Sequence, residues 1–115
     1  MITHFSELPK TDTPLCNGKG TVSAVQLLAL EDFQEKGRLF KHCTLKPGCS
    51  VGEHTHKGDF EVYYILKGEG LYNDNGTMTT VKPGDVALCP AGESHMIENN
   101  GTEDLEFIAL ILFTQ

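Results

Sequence analysis

From Arg38 to the C-terminus the chain is a succession of short alternating apolar runs, each closed by glycine, proline or asparagine, and that pattern admits few folds. The runs fall at 39–45, 51–56, 61–66, 68–73, 77–81, 86–88, 95–98 and 105–113. Asp74, Asn75 and Gly76 give the clearest hairpin signal, because asparagine and glycine tolerate the positive φ of a tight reversal. Many short strands at this spacing predict an all-β sandwich or barrel.

Upstream the punctuation changes. Pro9, Pro14, Gly18 and Gly20 make residues 1–20 an extended arm, of the kind that crosses onto a partner subunit. Residues 21–30 read as a strand, and 31–38 as a charged loop, with a short helix over 29–36 as the alternative. At 115 residues the chain closes one core, so the organisation expected is an arm (1–20) and one barrel (21–115). The last run alternates Leu105, Phe107, Ala109, Ile111 and Phe113 with Ile108, Leu110 and Leu112, so both of its faces are expected to be covered, one by the core and one by a second subunit. A homodimer is the expectation; burial of both faces within one chain is the alternative.

Charge excludes some partners. A formal net charge of −7, with no basic cluster, argues against nucleic acid. The longest apolar run is too short to cross a bilayer and the N-terminus lacks a secretory pattern, so no membrane partner and a cytoplasmic location are expected. Cys16, Cys43, Cys49 and Cys89 include no C-x-x-C pair and are expected to be free thiols.

Chemistry concentrates elsewhere. His54 and His56 stand one residue apart on a strand, so both imidazoles leave one face. Glu61 follows across a Lys57–Gly58–Asp59 turn, and His95 lies on a later strand able to complete the set. Three imidazoles and a carboxylate suit one divalent transition-metal ion (Mn, Fe, Ni, Co, Cu or Zn) rather than Ca or Mg. A closed tetrahedral zinc site is the competing arrangement, but structural zinc usually recruits thiolates, and no cysteine falls into this spacing.

The spacing is more specific than the residues. Gly48, His54, His56, Glu61 and Gly68 fit G-x5-H-x-H-x4-E-x6-G, while Gly84, Pro90, Gly92, His95 and Asn99 fit G-x5-P-x-G-x2-H-x3-N. In these two motifs the chain resembles the cupins, specifically their compact single-domain microbial members. The resemblance implies a double-stranded β-helix, or jelly roll, with His54, His56, Glu61 and His95 as metal ligands and dimers as a common state. It does not fix the reaction, since the cupin barrel hosts dioxygenases, decarboxylases, isomerases, lyases and binding modules.

Two further side chains are candidates for catalysis. Alternation from Glu61 turns Tyr63 and Ile65 inward, making Tyr63 the nearest donor or acid, with an aromatic core residue as the alternative. His42, on the preceding strand, is a candidate pocket base, against an ordinary partly exposed histidine. Asn99 reads as a turn-former, and Met78, Met96 and Ile97 as core. The function expected is a metal-dependent enzyme acting on a small oxygen-rich carboxylate or diketone-like compound; the alternative is a non-catalytic module that anchors a small ligand through its metal.

Overall fold

The computed structural model describes residues 1–115. It contains β1 (Lys10–Thr13), β2 (Val22–Gln26), β3 (Gly37–Leu45), β4 (Ser50–Thr55), β5 (Asp59–Lys67), β6 (Gly70–Asp74), β7 (Thr77–Val81), β8 (Val86–Cys89), β9 (Ser94–Glu98) and β10 (Leu105–Phe113). Single 3₁₀ turns span Phe5–Glu7 and Leu30–Phe33, the second where a short helix was the alternative to a loop. No helix is long and apolar enough to cross a membrane.

The strands form two antiparallel sheets, ordered β1-β2-β3-β10-β5-β8 and β4-β9-β6-β7, which is the expected jelly roll. Their facing sides enclose one core that includes Leu45, Val51, Ile65, Ile97, Leu105 and Phe107. Period-two alternation sets this up: on β5, Glu61, Tyr63 and Ile65 are buried while Tyr64 and Leu66 are exposed. The β6–β7 reversal runs through Asn75 at φ 49° and Gly76 at φ 103°, as the hairpin signal requires. Part of the segment read as an arm is strand: β1 pairs with β2 of its own chain.

Two motif positions are structural. Gly68 has φ 79°, and a Cβ there would overlap the Asp104 carbonyl oxygen. Asn99 is fully buried and does more than form a turn. Its amide donates to the carbonyls of Leu45 (2.8 Å) and Glu103 (2.7 Å), and its carbonyl accepts from the Gly101 amide (3.0 Å), so one side chain ties the end of β3 to the approach of β10.

The outer face of the larger sheet differs from the inner. On β10 the inward set from Leu105 to Ile111 is buried, whereas Ile108, Leu110 and Leu112 are only half-buried. Cross-strand register aligns Ile108, Tyr64 and Val86 in one row and Phe40, Leu110, Val62 and Leu88 in the next. An apolar face therefore stands uncovered within the chain; burial of both faces of β10 by one chain is not what the fold provides. Met78 also departs from expectation: it is 49% exposed, because β7 is an edge strand of the smaller sheet with four of its five residues exposed.

Candidate metal centre

His54 and His95 lie in the smaller sheet, His56 directly follows its strand β4, and the glutamate comes from the larger, so their convergence depends on how the sheets close on each other. β4 and β9 are neighbours with His54 opposite His95. Between Val51 and His54 the register shifts by a bulge. Without that extra residue, Val51 and His54, three apart, would face opposite ways; with it, both point inward. Gly52 sits in the bulge, where a Cβ would overlap the Cys16 carbonyl oxygen, so the kink needs glycine.

His54, His56, Glu61 and His95 bring their ligand atoms within 4.8 Å of one another and could hold a metal ion. Glu61 Oε1 lies 2.9 Å from His95 Nε2, 3.0 Å from His56 Nε2 and 3.4 Å from His54 Nε2. His95 Nε2 lies 2.9 Å from His54 Nε2 and 3.1 Å from His56 Nε2. Donors at right angles around an ion with bonds of about 2.1 Å stand about 3.0 Å apart, and tetrahedral donors about 3.4 Å apart. Four of these five separations match the right-angle arrangement, which leaves room for further ligands.

Hydrogen bonds on the far side of each ring fix the donor atoms. His54 Nδ1 donates to the Gly52 carbonyl (2.8 Å), and His56 Nδ1 donates to Asp59 Oδ1 (2.7 Å). The neutral forms of both rings therefore aim bare Nε2 lone pairs at the Glu61 carboxylate. His95 Nδ1 is 2.7 Å from the Tyr72 hydroxyl, which can accept its N–H when Nε2 serves a metal. Lone pairs converging on a carboxylate repel, and a cation at their focus removes the conflict. The donor set thus fits a divalent transition metal.

Charge follows the same geometry. Burial pushes the Glu61 carboxyl up, but the three imidazoles around it, each able to hydrogen-bond the carboxylate once it carries a proton on Nε2, outweigh burial and hold the group below the usual carboxylate range. Asp59 is likewise held low: burial opposes, and Arg38, whose Nε donates to Oδ2 at 2.9 Å, and His56 prevail. His56 is raised, because the hydrogen bond its protonated form gives to Glu61 outweighs burial, while burial lowers His95. Because its folded value is raised, His56 takes up a proton at a higher pH than a free imidazole. Metal affinity is accordingly expected to fall as pH drops through the histidine range, with occupancy full near about pH 8 and largely lost by about pH 5 at limiting metal. Unchanged occupancy over that range would contradict the assignment.

Asp59 and Tyr72 are functional positions that sequence reasoning missed. Asp59→Asn keeps the shape but weakens the hold on His56, and is expected to lower metal affinity about 10–100-fold in a chelator-competition titration. A change below about twofold would show that Asp59 does not act on the site.

Tyr63 faces inward as alternation requires, with its ring stacked on His95 at 5.0 Å and tilted against Phe107 at 4.7 Å. Burial raises its phenol well above the usual range. His42 is misplaced as a pocket base. It lies in the outer row between Val25 and Ile108, with Nε2 3.3 Å from Glu106 and its ring against Phe5, because Lys41 and Cys43 take the inward positions of β3.

Comparison with known proteins agrees with this architecture. The Cupin domain profile matches residues 41–111. Over 113 residues the chain is 48% identical to the oxalate-binding protein of Thermotoga maritima, covering 97% of this chain and 93% of that one. It is similar to the crystal structure of a predicted oxalate decarboxylase from Thermotoga maritima, with a TM-score of 0.94, 46% identity, and 98% of this chain and 99% of that chain covered. The polyketide cyclase RemF from Streptomyces resistomycificus shares the fold alone, at a TM-score of 0.76 and 19% identity over 100% of this chain and 80% of that one. The protein belongs to the Cupin domain family.

Proposed function

We propose that this protein binds one divalent transition-metal ion on His54, His56, Glu61 and His95 and, through it, a small dicarboxylate of the oxalate class. The observation that carries the reading is the convergence of three oriented Nε2 atoms on Glu61, with four of the five separations at right-angle spacing. The ion supplies a Lewis acid for two carboxylate oxygens. Similarity to the oxalate-binding protein of Thermotoga maritima supports the ligand class.

Retention of the ligand without turnover is the better-supported form. The groups that touch the three rings on their far sides are committed: Asp59, Tyr72 and the Gly52 carbonyl hold them in place. None of these three is a free proton carrier. Calorimetry of metal-loaded protein with oxalate is expected to show one-to-one binding, with oxalate recovered unchanged. Absence of binding overturns the reading. Release of formate or carbon dioxide would select the second reading, a metal-dependent decarboxylase, which the likeness to the predicted oxalate decarboxylase structure favours.

We further propose a homodimer formed through the outer face of the larger sheet. Tyr64, Leu66, Val86 and Leu88 are all exposed there, beside half-buried Ile108 and Leu110. Light scattering after gel filtration is expected to give about 25 kDa, twice the 12.6 kDa chain. Leu88→Glu is expected to give monomers; a monomeric parent protein would contradict the proposal.

A further inference from the structure

The inward face of β3 carries Leu39, Lys41, Cys43 and Leu45, three apolar side chains and one cation. Lys41 pairs in register with Ala109 of β10, which on its other side pairs with Tyr63 of β5. A methyl group at the middle of this row does not fill the interior. A cavity of about 80 Å³ remains, lined by Lys41, Ala109, Tyr63 and Glu61, with Thr11 and Thr13 of β1 at its edge. A space of this size suits a ligand as small as a two-carbon acid.

Lys41 is half-buried, yet its ammonium makes no ion pair and no hydrogen bond within the chain. Of the other strand cations, Arg38 is matched with Asp59 and Lys67 with Glu106. Lys41 thus brings an unpaired, solvent-reachable cation to a mostly apolar cavity that also touches the Glu61 carboxylate, and such a place suits an anion. The carboxylate alone would repel one. A divalent ion together with Lys41 outweighs Glu61 by two charges, which a dianion balances and a monoanion meets by half.

We propose that Lys41 is the specificity-determining counter-charge of this site, favouring a compact dianion over its isosteric monoanion. The proposal rests on the metal-anchored carboxylate reading given above. Lys41 is assigned to the ligand and not to the metal, so metal content separates the two.

The test uses full-length protein loaded with Mn²⁺, as wild type, Lys41→Met, Lys41→Gln and Lys41→Arg, with metal content from elemental analysis and folding from melting temperature. Calorimetry then compares oxalate with oxamate, a monoanion of the same shape. Lys41→Met and Lys41→Gln are expected to keep one metal equivalent, to lose oxalate affinity about tenfold or more, and to change oxamate affinity less than about threefold. Lys41→Arg is expected to keep the wild-type preference. A neutral variant that preserves the oxalate-to-oxamate ratio overturns the proposal, whether both affinities hold or both fall together. Wild-type protein that takes up Mn²⁺ but binds neither acid overturns the carboxylate reading itself, and this inference with it.

Discussion

In a His95→Ala protein, stoichiometric binding of a divalent transition metal is expected to disappear, with affinity lowered more than about a hundredfold. Removing only an outer hydrogen-bond partner costs about 10–100-fold, and here a donor atom itself is lost. His95 has the largest effect because its Nε2 lies about equally close to the other three donors, at 2.9 Å from Glu61, 2.9 Å from His54 and 3.1 Å from His56. Glu61→Gln tests the same point without changing shape, since it removes the charge that balances the ion. The readout is thermal as well as chemical. Metal at about a thousand times its dissociation constant stabilises the folded parent by about 4 kcal/mol, and neither variant should show that rise in melting temperature. Retention of full occupancy in His95→Ala would mean that the ion sits elsewhere.

Replacing Phe107 with alanine is expected to destabilise the fold by about 3–5 kcal/mol, a large share of the roughly 5–15 kcal/mol that holds a domain together. Phe107 is fully buried as the third residue of β10, the strand that joins β3 to β5 across the larger sheet. Its ring backs Tyr63 at 4.7 Å, and Tyr63 in turn stacks on His95 at 5.0 Å. The cavity left behind therefore opens directly behind a metal-site ring. Urea unfolding measures the loss. A loss below about 1 kcal/mol would show that the neighbouring strands collapse into the space, and that packing at this layer does not support the site.

The strands at 77–81 and 105–113 were legible in the sequence because alternation and turn residues bound them on both sides, and they match β7 and β10. The four converging side chains were legible because strand geometry and motif spacing agree. What alternation does not reveal is which of two faces turns inward. For that reason Met78 reads as core, and His42 as either a pocket base or a partly exposed histidine. Their true positions depend on Lys41 and Cys43 facing the cavity and on β7 lying at an edge. Tyr72 and Lys41 could not be read from local spacing, because cross-strand register brings them to the site from β6 and β3. Asp59 carried a faint signal, three residues after His56 in a tight turn. Gly52 carried another: glycine inside a strand run marks a bulge, and this bulge is what turns His54 inward.

Crystals grown with Mn²⁺ and measured for anomalous scattering would put the metal assignment to its most direct test. The expected result is a single strong peak about 2.0–2.3 Å from Nε2 of His54, His56 and His95 and from a carboxylate oxygen of Glu61. A map with no peak there, or with the ion held by other side chains while these four bond only to each other, would contradict it.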